Sequence, residues 1–205
     1  MTVPAPAIGL HPHSHRRRRL LAAATWLSLA AIAGPALAVV GPDSPIRSIV
    51  ITQTGDGGYA AEVVMFAPVP QSVAWDVLTD FEHQANWVPN VKESKVIKRD
   101  GDTVVIEQQG QARFGLASIP YTSQRRQEMV KPTSIHSTQV SGSMKKIDSM
   151  MRLSPDGNGT RLNYHLDLVP SLLTAAVVNK QALEKQLDEQ FTAIIGEMTR
   201  RVAPK

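Results

Sequence analysis

Hydrophobic and polar residues alternate along most of the central part of the chain, which is the pattern of half-buried β-strands. In the clearest case, the leucines and Tyr164 of the stretch 160–169 alternate with charged or polar residues. Turn residues such as Gly, Asp and Asn separate one alternating stretch from the next. The pattern predicts strands over Ile46–Gln53, Tyr59–Phe66, Val91–Arg99, Thr103–Phe114, Tyr121–Met129, Ile135–Ser141, Met144–Leu153 and Thr160–Val169. Strands with one solvent-exposed face and one buried face are typical of an antiparallel sheet.

A short amphipathic helix is predicted after the second strand. Val73, Val77 and Leu78 recur at helical spacing, and Pro70 is placed where a first-turn proline is tolerated. Asp80 is positioned to cap a second short helix directly afterwards.

The chain is predicted to end in one long helix, capped by Ser171 and running from Leu172 to about Arg201. At 1.5 Å per residue, this helix is roughly 45 Å long and crosses the whole sheet. Its apolar stripe is Leu183, Leu187, Phe191, Ile194, Ile195 and Met198. Its charged residues are expected mostly off that stripe, at Glu184, Lys185, Asp188, Glu189 and Glu197. Strands followed by short helices, more strands and a terminal helix define an α+β fold.

The first 38 residues have the order of a secretory signal peptide. A basic region, His11–Arg19, precedes a 14-residue apolar run, Leu20–Ala33, which is too short to span a bilayer. Gly34-Pro35 breaks the run, and Ala36–Ala38 supplies the small residues of a cleavage site. We therefore expect a periplasmic or secreted protein cleaved near Ala38. The arginine cluster also permits the twin-arginine route, and an uncleaved membrane anchor is the alternative.

Composition narrows the classes of function. The full chain has 22 basic and 18 acidic side chains, and four of the basic ones, Arg16–Arg19, lie in the leader. The mature chain therefore has 18 of each, so no basic surface for nucleic acid is expected. The absence of cysteine excludes disulfides and thiolate chemistry. His83, His136 and His165 fall in separate elements, so neither a metal site nor a cofactor is predicted.

Two sequence blocks carry a resemblance to a known superfamily. The first block comprises Val69-Pro70, Val73, Trp75–Phe81 and Trp87–Pro89, and the second comprises Gln139–Gly142, Leu153–Gly157 and Gly159–Tyr164. From about Tyr59 to Arg201 the chain is similar to the START-like (SRPBCC) superfamily of polyketide cyclases and dehydratases, coenzyme Q-binding proteins and lipid-transport proteins. The resemblance implies a helix-grip fold: a curved antiparallel sheet wrapped around the long C-terminal helix, with two short helices after the first strand. It assigns residues 58–203 to the ligand-binding domain and leaves 39–57 as an extra strand and turn.

The same fold implies a cavity between the sheet and the helix, and strand alternation selects the residues of its wall. Mostly apolar side chains with a few uncharged polar groups are typical of a small-molecule pocket. The predicted ligand-binding residues are Ile106, Gln108, Tyr121, Arg125, Ser137, Gln139, Ile147, Met151 and Tyr164 on the sheet, and Leu183, Leu187 and Phe191 on the helix. Superfamily members often carry large aromatics where Ile147 and Met151 stand, which implies more room here.

Three functions are compatible with such a cavity. The first is an exported binding protein or carrier for a hydrophobic, lipid-like or quinone-like molecule, with transient membrane contact. The second is a cyclase or dehydratase acting on a polyketide-like substrate, in which Tyr121 and Arg125 serve the reaction. The third is a protein-interaction domain with a filled core. The scarcity of convergent acid–base groups and the neutral mature charge favour the carrier, and no catalytic residue is assigned.

Overall fold

Eight strands pair in one antiparallel sheet, in the order β1-β2-β8-β7-β6-β5-β4-β3. The structure is a computed structural model that describes residues 44–114 and 117–203, without the side chains of 113–117. The strands are β1 Ile46–Gln53, β2 Tyr59–Ala67, β3 Val91–Asp100, β4 Thr103–Phe114, β5 Ala117–Val130, β6 Ser134–Gly142, β7 Lys146–Asp156 and β8 Gly159–Val169. The helices are α1 Gln71–Leu78, a 3₁₀ helix Phe81–Asn86, and α2 Lys180–Val202. The predicted α+β helix-grip fold is confirmed, whereas the predicted signal peptide lies outside the described residues.

The sheet places the second and the last strands of the chain side by side. Strands β3 to β8 follow one another as a meander, and β8 then pairs with β2, with Val63 opposite Tyr164. The additional strand β1 pairs along the outer edge of β2. Its residues Ile46, Ile49 and Ile51 are buried in the main hydrophobic cluster. The additional strand is therefore part of the core.

The long helix α2 begins eight residues later than predicted. Residues 172–177 form turns instead, and Ser171 bonds to the side chain of Thr174. Asn179 has an extended backbone, which interrupts the helical path, and its Oδ1 accepts a hydrogen bond from the Ala182 amide at 2.9 Å. Asn179, rather than Ser171, is therefore the cap of this helix.

The predicted apolar stripe of α2 is correct, and one charged residue was misplaced. All six stripe residues are buried. Glu197, expected mostly off the stripe, is also buried, and its carboxylate bonds to Arg200 at 2.6 Å and to Arg201 at 2.8 Å. The two arginines one turn further on make this burial tolerable, because they pair the charge.

The short helices differ from the prediction at their caps. Pro70 occupies the N-cap position of α1, one residue before the first turn. Asp80 precedes the 3₁₀ helix but makes no capping bond. Its carboxylate instead bonds to His83 at 2.6 Å and to Arg201 at 2.7 Å, so it ties the two short helices to the end of α2.

Candidate ligand cavity

A cavity of ≈ 240 Å³ lies between the inner face of the sheet and α2. One water molecule needs only about 10–15 Å³ on the same measure, so the core is not packed solid. Strands β4 to β8 form one wall, α2 forms the opposite wall, and Leu78 to Val91 contribute to one side. The alternative of a filled core therefore has no support from the geometry.

The structure brings all twelve predicted site residues to this cavity. They are Ile106, Gln108, Tyr121, Arg125, Ser137, Gln139, Ile147, Met151, Tyr164, Leu183, Leu187 and Phe191. This agreement has a simple cause. Every second residue of a strand, and every third or fourth residue of a helix, points to the same side, so the residues that face the cavity follow once the buried side of each element is known. That these residues bind a ligand stays a prediction.

Several polar wall residues were missed by the sequence analysis. They are Gln84, Thr122, Ser123, Gln127, Ser143, Ser149, Gln186 and Gln190. Ser123 and Gln127 lie at two-residue spacing from the predicted Tyr121 and Arg125 in β5, and therefore on the same face of the strand, so the alternation of side chains would have identified them. Gln84 lies in the 3₁₀ helix, and no local pattern indicates that this helix turns towards the sheet.

The apolar part of the wall joins the sheet directly to the helix. The rings of Tyr164 on β8 and Phe191 on α2 meet edge to face, with centroids 4.9 Å apart. Met151 is next to Tyr164 in the register of β7 and β8, and it is buried. Because Met151 is flexible and unbranched, this side of the wall can adapt to the shape of a ligand.

The polar part of the wall is centred on Gln108, whose amide is fully bonded. Its Oε1 accepts a hydrogen bond from Arg125 Nη2 at 2.6 Å. Its Nε2 donates to Gln84 Oε1 at 2.7 Å and to Ser94 Oγ at 3.1 Å. The Gln108 side chain therefore connects Arg125 in the cavity to the 3₁₀ helix that covers one side of it.

Three buried polar atoms of wall residues have no hydrogen-bond partner within the described part of the protein. They are Arg125 Nε, Ser123 Oγ and Gln139 Oε1. The amide nitrogen of Gln139 is used, because it donates to the Met144 carbonyl at 2.8 Å. A buried polar group without a partner costs about 1–3 kcal/mol, so these atoms favour a ligand that supplies partners.

Arg125 carries the only formal charge on the cavity wall among the described residues, since no Asp, Glu, His or Lys contributes to it. Burial raises the pKa of Tyr121 and of Tyr164; at Tyr164 a hydrogen bond with Ser149 partly opposes this, and at both rings so does the positive charge of Arg125. Both phenols therefore stay protonated at neutral pH. The wall offers a cation and neutral hydrogen-bonding groups, without a strong base.

Histidines and carboxylates in the described ranges form no cluster suited to a metal ion. His136 and His165 lie on the outer face, where His136 contacts Asp148 at 3.0 Å and His165 contacts Glu62 at 2.6 Å. No helix within residues 44–114 and 117–203 is long and apolar enough to cross a bilayer.

The sequence matches the family model described as polyketide cyclase/dehydrase and lipid transport over residues 67–192. This match covers more than half of the chain, so the protein belongs to that family. No curated protein matches it in sequence.

Solved structures share the fold at low sequence identity. The Zhui aromatase/cyclase from Streptomyces sp. R1128 is 17% identical, with a TM-score of 0.59, over 70% of this chain and 95% of that one. A STAR-related lipid transfer protein from Xanthomonas axonopodis is 14% identical, with a TM-score of 0.62, over 81% of this chain and 99% of that one. A START superfamily protein from Mycobacterium smegmatis is 15% identical, with a TM-score of 0.59, over 70% and 99%. At such identities, the likeness shows the fold alone.

Proposed function

We propose that this protein binds and carries a largely apolar small molecule whose one polar end is an anionic or carbonyl oxygen. The molecule occupies the cavity between the sheet and α2, with its polar end at Arg125. Lipid-like carboxylic acids and quinone-like carbonyl compounds both meet this description. The family description, which includes lipid transport, supports the same class of ligand.

The observation that carries the proposal is the position of Arg125. Its guanidinium faces an otherwise apolar and neutral wall, and within the described residues it pairs with no carboxylate. Its Nε is buried without a hydrogen-bond partner. A guanidinium binds carboxylate oxygens through short charge-assisted hydrogen bonds, and these are about twice as strong as neutral ones. An acidic ligand would therefore supply the missing partner and the compensating charge.

Two unpaired atoms on residues near Arg125 indicate which groups the polar end of the ligand should carry. Gln139 Oε1 can only accept a hydrogen bond, whereas the Ser123 hydroxyl can donate or accept. A hydroxyl group on the ligand, close to its acidic or carbonyl end, would satisfy Gln139. We therefore expect hydroxylated or enolic ligands to bind more tightly than simple ones of the same length.

The experiment compares a fluorescent fatty acid with its methyl ester, using Arg125→Gln and Arg126→Gln as matched variants. Arg126 is the adjacent residue on the outer face, where it lies 3.4 Å from Glu128. The wild type should bind the acid with one-site saturation and more tightly than the ester. Arg125→Gln should lose roughly tenfold or more of its affinity for the acid and much less of its affinity for the ester, because a bond to a charged group is worth about 1.5–3 kcal/mol and a bond to a neutral carbonyl only about 0.5–1.5 kcal/mol. Equal effects of the two variants, or no saturable binding, would refute the proposal.

Cyclisation of a polyketide-like substrate is the second candidate, and one observation favours it. Arg125 shares the cavity with the phenols of Tyr121 and Tyr164, so a polarised carbonyl and two proton donors could meet one substrate. The wall has no carboxylate or histidine in its described part to accept a proton, which weighs against this candidate. Turnover of a synthetic poly-β-ketone that is abolished by Tyr121→Phe or Tyr164→Phe would establish it over the carrier.

Export is the remaining part of the proposal. The order of basic region, apolar run and small residues in 1–38 supports cleavage near Ala38 and a periplasmic or secreted carrier. A carrier outside the cytoplasm would move its apolar ligand through an aqueous compartment, where such a ligand is poorly soluble.

A further inference from the structure

Two adjacent leucines stand almost entirely in solvent between β8 and α2. Leu172 is 99% exposed and Leu173 is 91% exposed, whereas the other exposed large apolar side chains of the described chain retain substantial contacts. Side chains this exposed make almost no contact with the rest of the protein, so they project from the surface; we refer to the pair as the leucine tip. Apolar surface that the fold leaves uncovered commonly marks an interaction site.

The segment that bears the tip is fixed against the wall of the cavity. Thr174 is buried and donates from Oγ1 to the Met144 sulfur at 3.5 Å, and the Lys145 amide donates to the Val169 carbonyl at 2.9 Å. Met144 and Val178 both line the cavity. The leucine tip is therefore held on a turn that adjoins one end of the ligand site.

Three lysines belong to the segments that adjoin the turn bearing the tip. Between Asp167 and Glu184 the chain has no acidic residue, and its only charge there is Lys180. Lys145 and Lys146 lie at the start of β7, beside the end of β8, and are exposed. Two carboxylates face these lysines: Asp167 is 4.0 Å from Lys146, and Asp56 in the β1–β2 turn interacts with Lys145. Lys145 and Lys146 thus each have a carboxylate partner, whereas Lys180 forms no ion pair among the described residues, so its ammonium group is available to an anionic surface.

We infer that the leucine tip docks this protein on an anionic lipid bilayer, with its cavity end towards the membrane. A projecting apolar pair with cations set behind it matches the depth profile of a membrane surface, because the leucines reach the acyl chains while the ammonium groups stay at the phosphates. A protein partner fits less well, since a stable interface buries about 800 Å² on each side and two side chains supply far less. The inference rests on the proposed function for the identity of the cargo.

The first test measures binding to sedimented vesicles of phosphatidylcholine, with and without phosphatidylglycerol. The protein is used as isolated from the producing cell, and all variants share its N-terminus, so differences between them arise in the folded domain. The double variant Leu172→Ser, Leu173→Ser should bind mixed vesicles roughly tenfold or more weakly, since two apolar side chains no longer leave water. Ile97→Ser, Val130→Ser removes two other exposed apolar residues, at the opposite end of the sheet, and should bind like the wild type.

The charge of the lipid gives a second comparison. Lys145→Glu, Lys180→Glu should weaken binding to mixed vesicles and leave binding to pure phosphatidylcholine unchanged. If this variant binds both kinds of vesicle like the wild type, the anionic surface is refuted. If the variant Leu172→Ser, Leu173→Ser binds mixed vesicles like the wild type, the docking proposal is refuted. A dimer that forms without vesicles and is lost in the leucine variant would assign the tip to a second copy of the chain and refute the membrane.

The absence of cysteine permits a direct probe of insertion. An environment-sensitive dye on Leu173→Cys should shift to the blue when vesicles are added, and spin-labelled lipids should quench it. The same dye on Val130→Cys should not respond, and equal responses at both positions would refute the proposal. Cavity binding of the fluorescent fatty acid is measured separately. A protein that docks but binds no fatty acid refutes only the proposed cargo, whereas one that binds the acid but does not dock refutes only this inference.

Discussion

Arg125 and Gln108 share a hydrogen bond of 2.6 Å, in which the guanidinium Nη2 donates to the amide Oε1. The other end of the same amide donates to Gln84 in the 3₁₀ helix at 2.7 Å. The cation of the cavity and one of its covering elements are linked through a single buried side chain.

Replacing Gln108 with Leu should destabilise the domain by about 1–3 kcal/mol, because Gln84, Ser94 and Arg125 each lose a partner. Urea denaturation measures this free energy of unfolding. Gln109→Leu is the matched control, since Gln109 is exposed on the opposite face of the same strand. The control should change stability by less than about 0.5 kcal/mol. Equal losses in the two variants would mean that the network around Gln108 contributes nothing.

The inward faces of the strands were predictable because they follow from a strictly local rule. In β8, Leu162, Leu166 and Leu168 are buried while Arg161 and Asn163 are exposed, as the alternation requires. Once the sheet and the terminal helix were identified, the same rule placed the predicted wall residues on the cavity. The sequence analysis was therefore most reliable where burial alone decides the direction of a side chain.

One error falls where a partner distant in sequence decides the outcome. Asp80 was expected to cap the 3₁₀ helix, but Arg201 binds it across 121 positions of the chain. The other error is local: Ser171 was predicted to cap the long helix, yet Asn179 is extended and caps a later start through a bond to the Ala182 amide. No local pattern indicates the contact between Asp80 and Arg201, whereas Asn is a common capping residue. Because Leu172 and Leu173 were placed inside the helix, their exposure was not predicted.

Met151→Trp should reduce the volume of the cavity and weaken binding of an apolar fluorescent probe by roughly tenfold or more. Met151 lines the cavity and lies next to Tyr164 in the sheet, so a larger ring would enter the space that the probe uses. Met150→Trp is the control, because Met150 is the adjacent residue and alternation directs it to the outer face. Circular dichroism should show both variants folded. Unchanged probe affinity in Met151→Trp, with the fold intact, would place the binding site elsewhere.

Glu197→Gln should lower the free energy of unfolding at neutral pH by about 1–3 kcal/mol, because it removes charge-assisted bonds to Arg200 and Arg201. The hydrogen bond from Arg200 lowers the pKa of Glu197, burial opposes this, and Arg201 lowers it further. A lowered pKa in the folded state means that the stabilisation is present above the ordinary value of 4.5 and is lost as the pH falls through the folded value.

The difference between the wild type and Glu197→Gln should therefore shrink as the pH falls, when urea denaturation is repeated at about pH 7 and about pH 3. Glu189→Gln serves as the control, because Glu189 is exposed and its ion pair with Lys185, at 3.7 Å, lies at the protein surface. Such surface pairs contribute roughly 0–1 kcal/mol. A difference for Glu197→Gln that is constant with pH would show that the lost stability comes from packing rather than from the carboxylate charge.

The protein isolated from its own cells should begin at Val39, give or take a few residues, and should be found outside the cytoplasm. The apolar run Leu20–Ala33 is too short for a membrane anchor, which needs about 20 residues, and Ala36–Ala38 offers a cleavage site. N-terminal sequencing and intact mass measure the start of the chain. Leu27→Arg interrupts the run and should leave the precursor uncleaved in the cytoplasm, whereas Leu10→Arg, ahead of the basic region, should be processed normally. A wild-type protein that retains Met1 or Thr2 would refute cleavage and favour the anchored alternative.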